Sequence, residues 1–172
     1  MAKQTFGYSE ENLDSWAREQ LTSIFQGSTT AATATAQKGP IKFGDVKVTG
    51  TCWRAQRNAV KFVHFFELSL QAKFTLTQLI DDTDTTITGA VELTGVGPDD
   101  VEDDDYTVNV SVDEGASDAK AEKLSVRKLV KANIAAFMQL LIDETDARKV
   151  AAAQEKAPPA PVVVNNDDDD EV

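Results

Sequence analysis

Cysteine and histidine are nearly absent from this chain of 172 residues, which has one of each, Cys52 and His64. A single cysteine excludes an internal disulfide and most zinc sites. Set in an alternating apolar stretch, Cys52 reads as a buried thiol serving as a small hydrophobe. Positive charge is scarce as well: 17 Lys and Arg face 29 Asp and Glu, a net charge of −12. That balance argues against a nucleic-acid backbone or an anionic membrane as partner. No apolar run approaches the ~20 residues of a membrane span, and no signal-peptide core stands at the N-terminus. A cytoplasmic location is expected, which leaves the sequon Asn109-Val110-Ser111 without consequence.

Phosphate and metal chemistry are missing in the same way. No Gly-rich loop follows a strand, and Gly97-Pro98-Asp99-Asp100 lacks the EF-hand ligand pattern. No metal or cofactor is expected. His64 falls in phase with an apolar strand face and has no Ser or Cys nucleophile placed beside it by spacing, so it reads as a satisfied core histidine. The chain is expected not to be an enzyme.

What is present is a long alternating hairpin. Phe62, Phe66, Leu68, Leu70, Ala72, Phe74 and Leu76 occupy even positions, and Lys61, Glu67, Ser69, Gln71, Lys73 and Thr75 odd ones. A period of two buries one face of a strand and wets the other. Val46 to Trp53 alternates likewise, and Gln56-Arg57-Asn58-Ala59 supplies the turn, with Arg57 and Lys61 at its tip. Val63 and Phe65 break the wet odd face. Either the 28–45 segment shields them, or they belong to a protein-binding patch.

Around the hairpin, Ser9 is a plausible N-cap with Glu10 and Glu11 behind it, and Leu13, Trp16, Ala17, Leu21, Ile24 and Phe25 form a helical stripe. Residues 28–36 are small, polar and aperiodic, a flexible connection. Ile87, Gly89, Val91 and Leu93 mark a third strand. Tyr106, Val108, Val110 and Val112 mark a fourth after an acidic loop. From Ser117 or Asp118 to about Gln154 one long helix carries Val126, Leu129, Val130, Ile134, Phe137, Leu140 and Leu141 on a single face. The class is α+β: an N-terminal helix, a four-stranded antiparallel meander and a long C-terminal helix on one sheet face, elongated. The domain spans 6–155. Residues 156–172 form a disordered tail: Pro158-Pro159-Ala160-Pro161 stops the helix, and the acidic stretch beyond it has no means of folding.

Several segments in register resemble one family. Asn12-Leu13-Asp14-Ser15-Trp16-Ala17-Arg18-Glu19, the turn Gln56-Arg57, Phe65-Phe66-Glu67-Leu68 and Gly89-Ala90-Val91-Glu92-Leu93 are similar to the N-terminal domain of activators of the heat-shock protein 90 ATPase. The likeness runs from about Phe6 to Asp143 and implies the same helix, sheet and long-helix order. It also implies a co-chaperone of protein folding and the stress response, without chemistry of its own. Such a domain docks on the middle segment of heat-shock protein 90 and remodels the loop carrying its catalytic arginine. A single-domain, monomeric short form is expected. The resemblance implies Arg57, Lys61, Phe6 and Tyr8 as partner-binding residues beside Val63 and Phe65. The family's basic Arg-Lys-Gly-Lys turn is here Arg57-Asn58-Ala59-Val60-Lys61, and its Trp-His-Trp arm is Phe6-Gly7-Tyr8. A competing function is carriage of a small apolar ligand between sheet and long helix.

Overall fold

The computed structural model describes residues 9–27, 38–57, 61–80, 82–113 and 120–155. Five strands run in the order β1(Ser9–Asn12), β2(Lys38–Gln56), β3(Phe62–Ile80), β4(Thr83–Val96) and β5(Asn109–Val112). They pair side by side in that order, each antiparallel to its neighbour. Helix α1(Asp14–Gly27) leaves β1, α2(Pro98–Glu102) sits in the acidic loop, and α3(Lys120–Glu155) closes the fold. The expected α+β architecture holds, with one more strand than periodicity counts.

The extra strand is a correction. Ser9, Glu10 and Glu11 do not begin α1; they pair with Gln56, Ala55 and Arg54. The apolar helical stripe starts only at Leu13, and Glu11 is drawn to Arg54 at 2.6 Å. Tertiary pairing therefore overrides the local N-cap signal. The Leu13 amide donates to the Cys52 carbonyl at 2.8 Å, and the Ala17 amide to the Leu13 carbonyl at 2.8 Å. Asn12 Oδ1 accepts from the Asp14 amide at 2.9 Å, and Asp14 Oδ1 accepts from the Cys52 amide at 2.7 Å. That last bond, with Asn12 assisting, holds the Asp14 carboxyl below the usual carboxylate range.

β2 starts at Lys38, eight residues before the Val46 that alternation suggests. The reason is a bulge. Gly44 pairs with Lys73 but Lys47 with Gln71, so one extra residue enters β2, and Asp45 takes a φ of 49°. An extra residue reverses which parity faces inward. Ile41 and Phe43 are buried before the bulge, Cys52 and Arg54 after it. Further bulges lie between Lys38 and Ile41 in β2 and between Leu93 and Val96 in β4, the latter with Gly95 at a φ of 61°.

The core lies between the sheet and the two long helices. Phe66, Leu68, Leu70, Ala72, Phe74 and Leu76 of β3 are all buried, as are Ala17, Leu21 and Phe25 of α1 and Val126, Val130, Ile134, Phe137 and Leu141 of α3. Phe137 ties the layers together: its ring lies 5.6 Å from Phe66 and 6.0 Å from the half-buried Trp16. Gly89 is required by packing, since a Cβ there would fall 2.6 Å from the Phe74 ring and onto the Ser111 carbonyl oxygen. The fourth apolar run is strand only from Asn109; before it Val108 is buried in the core, its carbonyl accepting from Arg127 of α3, and Tyr106 packs against that core. Lys131 fixes that edge by reaching Asp104 at 2.7 Å over the Tyr106 ring.

Candidate functional site

The β2–β3 hairpin presents two faces at its tip end, and register assigns each side chain to one of them. On the helix-bearing face, Glu11, Arg54 and His64 form one cross-strand row. On the opposite face, Trp53 is the Cα partner of Phe65, and Ala55 of Val63. Beyond them the Arg57 amide donates to the Lys61 carbonyl at 2.9 Å, and both residues are exposed. Arg57, Lys61, Val63 and Phe65 are thus gathered along one end of one hairpin. Residues 58–60, with the Asn58 turn, lie outside the described residues, as do Phe6 and Tyr8. The first described residue of β1, Ser9, pairs with Gln56, next to Arg57.

The two readings of Val63 and Phe65 separate here. Residues 38–44 pair with 73–78, at least eight residues from Phe65, or about 26 Å along the strand. That part of the 28–45 segment cannot shield the pair; residues 28–37 lie outside the description. Phe65 is 40 % exposed and Val63 half-buried. The Trp53 ring lies 5.5 Å from that of Phe65, tilted by 33°. Alternation places Trp53 in the first strand of the hairpin but does not fix which residue lies opposite it. A turn on Gln56–Ala59 would pair positions whose numbers sum to 115 and set Trp53 opposite Phe62; the observed pairs sum to 118, and that register brings Trp53 to Phe65.

The other face is held by a cation that alternation passed over. Arg54 is 2 % exposed, with Nη2 donating to Glu11 Oε2 at 2.6 Å and Nη1 to Thr145 Oγ1 at 3.3 Å. Thr145 in turn donates to the Leu141 carbonyl at 2.8 Å, and Arg148 Nη1 reaches Glu11 at 3.0 Å. One guanidinium thereby joins β1, β2 and the last third of α3. Arg54 follows Cys52 in phase, so an inward charge could have been read from the same period of two.

His64 is half-buried rather than part of the core. Burial holds its imidazole below the ordinary value of 6.5, Glu102 opposes that, Arg54 and Lys149 reinforce it, and Asp146 opposes it weakly. The folded state therefore binds this proton less readily than the unfolded chain. Stability from neutral His64 is complete above pH 6.5 and is lost as pH falls below it. Urea midpoints measured from pH 7.5 to about 5.5 should fall less steeply for His64→Gln than for the parent. Equal slopes would assign the acid sensitivity elsewhere. Cys52 is fully buried, and burial pushes its thiol up to about 12, which keeps it protonated and unreactive.

Among the described residues no group of three or more His, Cys, Asp or Glu is set to hold a metal, and no helix is long and apolar enough to cross a membrane. An open groove of about 820 Å³ crosses the middle of β2–β5, with Ala72, Val91 and Val110 along it and Arg127 of α3 beside it. Asp45, Lys47, Lys73 and Glu92 also line it.

The fold has a counterpart among known proteins. A search of curated proteins finds no match. The crystal structure of Aha-1 from Plasmodium falciparum is similar in fold, with a TM-score of 0.64 at 17 % identity, over 87 % of this chain and 96 % of that one. Residues 10–145 match the family described as Activator of Hsp90 ATPase, N-terminal. That match takes in α1, α3 as far as Thr145, all but the first residue of the five-stranded sheet, and the tip of the hairpin, and the chain belongs to this family.

Proposed function

We propose that this protein is a cytoplasmic, monomeric co-chaperone that binds the middle segment of heat-shock protein 90 through the tip end of its hairpin and stimulates ATP hydrolysis there. Family membership supports the partner. The observation that carries the site is an apolar patch, Trp53, Val63 and Phe65, standing directly beside two exposed cations, Arg57 and Lys61. An aromatic patch with a charged rim is the usual anatomy of a protein interface. The patch supplies docking energy. The cations, one of them an Arg able to pair bidentately, reach acidic or carbonyl groups near the partner's catalytic loop. A partner shifts an equilibrium only by binding one conformation better than the other, and contacts to a mobile catalytic loop do that.

Two kinds of loss follow. Arg57→Ala with Lys61→Ala should lower ATPase stimulation more than affinity, and the effect should shrink as salt rises. Steady-state ATP turnover at saturating co-chaperone, with affinity from calorimetry, separates the two. Full stimulation by the double variant would remove these residues from the mechanism. Carriage of an apolar ligand finds no comparable support. The groove across the sheet is open and lined by Asp45, Lys47, Lys73, Glu92 and Arg127, whose desolvation opposes an apolar guest.

A further inference from the structure

We propose that the acidic segment after α3 docks on the tip end of the hairpin of its own chain. Val162–Val164 cover Trp53, Val63 and Phe65, and the carboxylates of Asp167–Glu171 lie against Arg57 and Lys61, so the segment competes with the partner for this surface. The inference rests on the reading above that this end of the hairpin is the partner's docking surface.

Three observations name the occupant. The first is where α3 goes. Its N-terminal half lies by β5, where Arg127 donates to the Val108 carbonyl at 3.1 Å, and its later turns reach the tip end, where Thr145 and Arg148 meet Arg54 and Glu11. Glu11 shares a cross-strand row with Arg54 and His64, and His64 lies between Val63 and Phe65. From Arg148 to Glu155 is seven helical residues, about 10 Å. Seven more lead to Val162, and extended chain of that length spans about 23 Å. That covers the overshoot of the helix and the thickness of the sheet. Pro158, Pro159 and Pro161 give this stretch a sequence that favours extended over helical backbone.

The second observation is chemical order. The segment reads Val162-Val163-Val164-Asn165-Asn166-Asp167-Asp168-Asp169-Asp170-Glu171, three β-branched apolar residues followed by two amides and five carboxylates. The hairpin end reads apolar at Phe65 and Val63, then cationic at Lys61 and Arg57. The third is the charge of the rest of the molecule. The whole chain carries −12, and −7 remains once these five carboxylates are set aside, so most of the surface repels them, and the tip is a cationic feature within reach that adjoins exposed apolar area. Short tethers give effective concentrations in the millimolar range, so a weak contact suffices.

The test uses the full chain. In a Trp16→Phe background, Trp53 is the remaining tryptophan of two. The parent is compared with a chain carrying Asp→Asn at 167–170 and Glu171→Gln. At low salt, acrylamide should quench Trp53 about twofold less readily in the acidic parent, and the difference should vanish near ~0.5 M salt. Affinity for the heat-shock protein 90 middle segment should rise about three- to tenfold on neutralisation at low salt. If Trp16→Phe does not fold, Val63 methyl shifts in the unmodified pair report the same contact. Equal quenching or unchanged shifts at low salt overturn the proposal, as does protection of Trp53 with unchanged affinity. Protection of Trp53 without partner binding by either chain upholds the docking and overturns the partner assignment instead.

Discussion

Phe66→Ala should destabilise the protein by about 3–5 kcal/mol, while Phe65→Ala, one position away, should cost about 1 kcal/mol or less. Phe66 is 1 % exposed and meets the Phe137 ring edge-on at 5.6 Å, at the junction where α1, α3 and the sheet converge. Truncation there leaves a cavity among groups that are fixed from three sides and cannot collapse into it. Phe65 faces away, 40 % exposed, and loses mainly its contact with Trp53. Chemical denaturation of the two variants measures the difference. In partner binding the order should reverse: Phe65→Ala weakens the complex while remaining folded. Similar unfolding midpoints for both variants would mean that the faces of β3 are wrongly assigned.

Glu11→Ala should cost about 2–4 kcal/mol, a large effect for a residue that is itself partly solvated. The cost arises at Arg54. Its guanidinium is 2 % exposed, and without Glu11 it keeps Thr145 Oγ1 as its side-chain acceptor, at 3.3 Å. A buried charge stripped of its counter-ion is worse than no charge at all. Arg54→Met should therefore be the milder change, because it removes the demand along with the partner and leaves Thr145 bonded to the Leu141 carbonyl. Glu11 is 39 % exposed, so water recovers part of the loss, which sets the estimate below that for a fully enclosed pair. Thermal or urea unfolding of both variants decides the matter. A Glu11→Ala cost below about 1 kcal/mol would show that solvent reaches Arg54 freely.

These two variants mark where sequence was and was not informative. The even face of β3 was legible because six apolar side chains, Phe66 to Leu76, repeat without interruption, and the long stripe of α3 because it holds its phase over several turns. Neither needs knowledge of a distant partner. β1 was illegible for the opposite reason. Four residues, Ser9 to Asn12, carry no apolar period, and they become a strand because β2 offers them an edge and Arg54 offers Glu11 a counter-ion. The first half of β2 was lost to the bulge at Gly44–Lys47, which reverses parity and splits one strand of 19 residues into two unrelated patterns. At the candidate site, the cations and the two apolar residues on the wet face of β3, exposed Phe65 and half-buried Val63, could be named from the broken alternation. Trp53 required register, and register is a property of two strands at once.

The bulge has a consequence for chain length. β2 is one residue longer than its partner between Gly44 and Lys47. Removing Asp45 would restore a regular ladder in which Phe43, Val46 and Val48 all still face the core. Removing any one residue between Thr49 and Ala55 would instead turn everything on one side of the gap inside out. The strand thus tolerates a one-residue deletion without reversing its pattern of burial only at its bulges, at Lys38–Ile41 and Gly44–Lys47, and both lie at the end of the hairpin remote from Arg57 and Lys61. A ΔAsp45 chain should fold with a straighter hairpin and an unchanged tip, whereas ΔThr51 should not fold. Circular dichroism and amide-exchange protection of both would show whether the bulge is a spare residue or a required bend.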